Sequence, residues 1–179
     1  GKRRPRHTGM RRPYDELLTA YPAFRALPAE VEALVQRDLR SIRANRGQVV
    51  FDLGDERRVP FLFQGRIRVL RPLPDGRQVP LHVLTPGDWC AVAVANLLGR
   101  CVHQIRAVAT DDVIGATLSG HVFLRCLEER SALREAVLEA VAARMLAMME
   151  LVVSSTVSTV DQRLATLLLA RGPSIRATH

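Results

Sequence analysis

From Ser131 to Ser158 the chain runs without a glycine or a proline, through "SALREAVLEAVAARMLAMMELVVSSTVS". Both of the residues that most often end a helix are missing, so one long helix is the structure this stretch allows. Ser131 reads as its N-cap. Leu138, Val141, Met145, Met148 and Val152 step by 3, 4, 3 and 4, the spacing of a coiled-coil seam. About 27 helical residues at 1.5 Å each span roughly 40 Å. Leu146, Met149 and Val153 add a second apolar stripe. One small domain has too little surface to cover both stripes over that length. The expectation is a parallel homodimer, with Leu138, Val141, Met145, Met148 and Val152 as its interface. Methionine at this spacing is read first as seam packing.

Upstream the period changes. "PYDELLTAYPAFRALPAEVEALVQRDL" reads as short helices broken at Pro28, with Leu27, Val31, Leu34, Val35 and Leu39 as an apolar stripe. After Leu39 come short alternating runs: "QVVFDLGD", "VPFLFQGRIRVL", "LPDGRQVPLHVL", "HQIRAVA" and "DVIGATL". Asp75-Gly76 between two apolar runs is a hairpin signal, and Thr85-Pro86-Gly87-Asp88 ends the strand that follows. Many short strands with frequent turns predict an antiparallel β-roll of jelly-roll type. Pro60 and Pro80 would sit at strand starts, edges or bulges. The expected organisation is a basic arm (1–12), a β-roll sensing domain (13–130), a dimerisation helix (131–158) and a further element beginning at 159–179. In that last part Thr159 and Gln162 have capping-box spacing.

The net charge of +8 invites a nucleic-acid reading. However, residues 1–12 carry six cations and no acid, which leaves only +2 for the rest. The arm reads as a flexible tail, and the body is not a basic nucleic-acid surface. Apolar runs are too short for a membrane span. Cys90, Cys101 and Cys126 make an odd count without zinc-finger spacing, and no signal peptide precedes them. A cytoplasmic protein without a structural zinc site is expected. Cys101 and His103 lie two apart, but no third member completes a catalytic set, so an enzyme is not expected.

The order of elements, together with "FLFQGRIRVL", "PDGRQVPLHVLTPGDW", "VANLLG", "IRAVATDDV" and "DQRLATLLLARG", resembles the Crp/Fnr family of bacterial transcription regulators, over about Tyr14 to Gly172. The resemblance implies a cyclic-nucleotide-binding-like roll that senses an effector and a long helix that makes the dimer. It also implies a C-terminal winged helix-turn-helix that binds promoter DNA, with RNA polymerase as a further partner. "ARGPSIRATH" stands where the winged domain would begin, so that domain is incomplete in this chain.

In cyclic-nucleotide-binding members a phosphate cassette follows the Gly-Asp turn, with an acid for the ribose and an Arg-Ser/Thr pair for the phosphate. Counted back from Arg106-Ala107, the Arg and the Ser fall on Cys101 and Val102 and the acid near Val92. There is no Glu from Gly87 to Thr110, and Arg100 is one position out of place. A buried phosphodiester needs a cationic fork, so the resemblance points away from cAMP. A degenerate cassette using Arg100 and a ligand-free dimerisation scaffold are the alternatives. What remains at Cys90, Val92, Arg100, Cys101, Val102 and His103 is an apolar effector pocket bearing two thiols. It would suit a small apolar ligand, a thiol redox switch at Cys90 and Cys101, or haem with His82, His103 or His121 as the iron ligand. The family's iron–sulfur variant needs cysteines near the N-terminus, and none precedes Cys90.

Overall fold

The computed structural model describes residues 12–53, 58–99 and 104–157. It divides into two compact units at Val141/Ala142. The first begins with helices α1 (Pro13–Ala20) and α2 (Ala29–Asp38), joined by a 3-10 turn at Pro22–Phe24. Strands β1 (Arg40–Ala44), β2 (Val49–Leu53), β3 (Arg58–Gln64), β4 (Ile67–Pro72) and β5 (Gln78–Leu84) follow. Helix α3 (Ala91–Leu98), strands β6 (Ile105–Ala109) and β7 (Val113–Ser119), helix α4 (Gly120–Glu129) and the part of helix α5 (Ser131–Val157) up to Val141 complete it. The strands form two antiparallel sheets, ordered β1-β7-β3 and β2-β6-β4-β5. The expected antiparallel β-roll with short N-terminal helices and a long following helix is therefore present.

The three-stranded sheet is covered on both faces. Val59 and Phe61 of β3 join Leu17, Phe24, Val35, Phe123 and Cys126 in a core shared with the helices. Leu62, the next residue along β3 and so on its opposite face, joins Ile67, Val69, Ala107 and Cys90 in the roll interior. Burial on both sides explains the unbroken apolar run "VPFLF". On the helical side Tyr21, Phe24, Phe61, Trp89 and Phe123 pack ring against ring, with Tyr21–Phe61, Tyr21–Trp89 and Phe24–Phe61 near perpendicular. Edge-to-face pairs of this kind contribute about 0.5–1.5 kcal/mol each beyond burial. The Tyr21 hydroxyl donates to the Asp88 carbonyl (2.9 Å) and accepts the Leu62 N–H (2.9 Å), so its polar tip is satisfied inside the core.

Turn chemistry follows the sequence closely. The β4–β5 hairpin turns at Asp75-Gly76, where Asp75 Oδ1 accepts the Arg77 N–H (3.0 Å) and Gly76 has φ +83°. Pro60 lies on β3 and Pro80 on β5, each the outer strand of its sheet, and Pro80 adjoins a register shift. Two helices, α3 and α4, were not legible as helices. The start of α5 also shifts by one residue from the expected cap. The Arg130 carbonyl accepts the Leu133 and Arg134 N–H groups (3.1 and 3.2 Å), so Ser131 is already helical.

Helix α4 begins without a side-chain cap of its own. The Ser119 N–H instead donates to Asp38 Oδ2 at the end of α2 (2.6 Å). A capping-box glutamate makes this bond locally; here it comes from 81 residues away. Arg58 completes the node. It donates to Asp38 Oδ2 (3.3 Å), the Asp38 carbonyl (2.8 Å) and Thr117 Oγ1 (2.9 Å). Burial works against the charge on Asp38, but the Ser119 N–H and Arg58 outweigh it and hold the carboxyl below its usual range. The first turns of α5 also belong to the helical core, with Leu133 and Val137 buried.

Candidate functional site in the roll interior

The turn Thr85–Asp88 positions the site. Asp88 Oδ2 accepts both the N–H and the hydroxyl of Thr85 (2.7 Å each), and Gly87 takes φ +87°. This closes the loop onto Tyr21 through the Asp88 carbonyl. The chain then sends Trp89 into the aromatic cluster and Cys90 to the N-terminus of α3. Helix α3 is apolar on two sides. Cys90, Val92 and Ala93 join the roll interior, whereas Val94 and Leu97 join the helical core. The segment is thus a wall shared by two cores, not a strand.

Opposite this wall stands the inner face of the four-stranded sheet, with Ile67, Val69, Ile105, Ala107 and Ala109. His82 pairs with Val69, whose side chain is fully buried, so the register puts it on the same inner face. Both of its ring nitrogens are shielded from solvent. The lining is small: Ala44, Ala93, Ala107 and Ala109 accompany Cys90. Among the described residues, Asn96 is the one polar residue in the buried class, and no cation is.

The site residues expected from sequence fare differently. Cys90, Val92 and His82 come together around the roll interior. Arg100, Cys101, Val102 and His103 lie outside the described residues. His121 is exposed in the first turn of α4, apart from that interior, where its charge acts on Asp38. Cys90 is completely buried, and desolvation pushes its thiol up to about 11. A redox sensor needs an exposed thiol of lowered pKa, so Cys90 lacks both properties of the switch expected of it. Cys126, in the helical core, is pushed up to about 12 by the same cause. Among the described residues no group of three His, Cys, Asp or Glu converges to hold a metal. No described helix is long and apolar enough to cross a membrane.

Along α5 the positions expected to form the seam are exposed: Leu138 by 65 %, Val141 by 37 %, Met145, Met148 and Val152 by more than half. Leu146, Met149, Leu151 and Val153 beside them are exposed too. Leu151 was missed from sequence because it falls outside both stripes.

The fold and site together define a β-roll domain of the cyclic-nucleotide-binding kind. Residues 41–130 match the cyclic nucleotide-binding domain family, and the chain belongs to it. No curated protein sequence matches significantly. Solved structures do. A Crp/Fnr-family transcriptional regulator from Eubacterium rectale aligns at 16 % identity over 85 % of this chain and 71 % of its own, with a TM-score of 0.70. The sensor domain of the transcriptional regulator DNR from Pseudomonas aeruginosa aligns at 19 % identity over 76 % and 91 %, with a TM-score of 0.59. The Thermus thermophilus catabolite activator protein aligns at 22 % over 75 % and 62 %, with a TM-score of 0.54. The chain therefore shares the fold of Crp/Fnr-type regulators. The matched family is a binding domain, and these neighbours are regulators rather than enzymes.

Proposed function

We propose that this chain is the sensing and dimerising part of a cytoplasmic Crp/Fnr-type transcription regulator whose effector is a small apolar or planar molecule, haem included, and not a cyclic nucleotide. The reading rests on the roll interior, whose described wall is alanine, valine, isoleucine, leucine and a protonated Cys90, with His82 on the facing strand. Such a wall favours apolar surface over charge. His82 is the described residue that would supply an imidazole nitrogen to a haem iron. The dimer is the second part of the proposal, with Leu138, Val141, Met145, Met148 and Val152 as its seam. Promoter DNA, reached through a winged helix-turn-helix following α5, and RNA polymerase are its further partners. Signalling requires the effector to bind one arrangement of the dimer more tightly than another, because equal affinity shifts nothing.

The effector is tested by the visible spectrum of the purified protein before and after adding haem, oxidised and reduced. A sharp band that shifts on reduction and disappears in His82→Ala is expected for a haem pocket. Saturable binding of a fluorescent cAMP analogue would overturn the exclusion of cyclic nucleotides. The seam is tested by sedimentation of the Met145→Asp/Met148→Asp variant. Burying like charges across the interface should make it monomeric, and an unchanged monomer–dimer equilibrium removes the seam.

A further inference from the structure

Alternation along the strands puts Ile67, Val69, Ala107 and Ala109 inside the roll and Arg68, Leu70, Arg106 and Val108 on the outer face of the four-stranded sheet. The register sets Val49, Val108, Arg68 and Val83 side by side across β2, β6, β4 and β5. Arg106, Leu70 and Pro80 form the adjacent row. Val49 and Val83 are 50 % and 51 % exposed. A solvated sheet face ordinarily turns its polar residues outward; this one carries a contiguous aliphatic strip with an arginine at its centre, unlike isolated surface valines.

Beside the strip lies a groove of about 260 Å³, lined by Arg46, Gly47, Arg68, Leu70, Val108 and Thr110. The neighbouring cations are already matched, Arg66 to Asp111 (2.6 Å) and Arg106 to Asp52 (3.0 Å). Arg46 acts on Asp111, the carboxylate that Arg66 holds, and its backbone N–H reaches Asp112 (3.3 Å). The Arg68 side chain makes no hydrogen bond or ion pair among the described residues. The groove thus opens onto two guanidiniums, Arg46 beside a carboxylate that Arg66 already holds and Arg68 with no carboxylate partner among the described residues.

We propose that this outer face, centred on Arg68, is a docking surface for an acidic, partly apolar segment of another protein. Charge complementarity selects the acid: a carboxylate entering the groove can take two parallel hydrogen bonds from Arg68 with Arg46 alongside. The valine strip selects the rest, since aliphatic side chains of the partner would cover Val49, Val83, Leu70 and Val108. Arginine set among apolar residues is the composition of protein interfaces. A nucleic acid gains little here, because neither row holds an aromatic ring for a base to stack on.

The test is fluorescence anisotropy with the whole chain and a short fluorescein-labelled peptide of mixed glutamate and leucine. Oligoglutamate and single-stranded DNA of equal length serve as comparison probes. The glutamate–leucine peptide should bind saturably. Arg68→Glu should weaken it about tenfold or more and steepen no other property. Val83→Ser should weaken it as well, with both variants melting at the wild-type temperature. Equal or tighter binding of oligoglutamate or DNA would overturn the proposal in favour of a general polyanion surface. Peptide binding indifferent to both substitutions, as capture by the arm at 1–12 would give, or no saturable binding at all, would overturn it outright.

Discussion

Cys90 shows how far a residue's neighbours in space can reverse its apparent chemistry. In sequence it sits in a thiol-bearing apolar stretch that suggested a switch; in the fold it is a small hydrophobe whose pKa rises from 9.0 to about 11. Between those two pH values the unfolded chain has released the proton and the folded chain has kept it. The unfolded state therefore binds fewer protons, and stability falls as pH rises. The contribution is fully present below about pH 9 and is lost towards pH 11. Urea denaturation across this range should show a shallower decline in Cys90→Ala than in the wild type, and matching slopes would contradict the burial of the thiol. The apolar character of the wall was legible from its side chains. Its protonation state was not, because it depends on which face of α3 meets which sheet.

The elements differ in how much of their cause is local. Strands β4 and β5 carried their own alternation and their own Asp75-Gly76 turn, and both appear as expected. Helix α5 lacked breakers and appears as one helix. Helix α3 was hidden because it is buried on two sides and has no side-chain cap at Cys90, which leaves neither a polar face nor a start signal. Helix α4 was hidden because its starting bond comes from Asp38, on another element. The exposed apolar positions of α5 were legible from spacing alone, whereas His82 gained its place only from the hairpin register. Pairing of β3 with β7 rests on a second unannounced feature. A Cβ at Gly115 would collide with the Phe61 carbonyl oxygen. Gly115→Ala should force the two strands apart and cost about 1–3 kcal/mol, read as a lower urea midpoint with the slope unchanged. A neutral substitution would mean that the strands are not held at that separation.

At the scale of the molecule, the helical core is not finished when the strands end. Leu133 and Val137 of α5 are buried in it, at 0 % and 3 % exposure. Each such side chain stabilises by about 1.5–3 kcal/mol. A fragment ending at residue 141 should therefore melt cooperatively, and one ending at 130 should melt at a clearly lower temperature by circular dichroism. Equal melting temperatures would show that α5 adds nothing to the first unit. The Asp38–Ser119 bond has a different consequence, one of timing. On the ribosome Asp38 emerges 81 residues ahead of Ser119, roughly 4 to 16 s earlier at ordinary rates of synthesis. The N-terminal helices can thus be made and waiting before α4 appears. A circular permutation that moved them to the end of the chain would leave α4 to be synthesised before its cap exists.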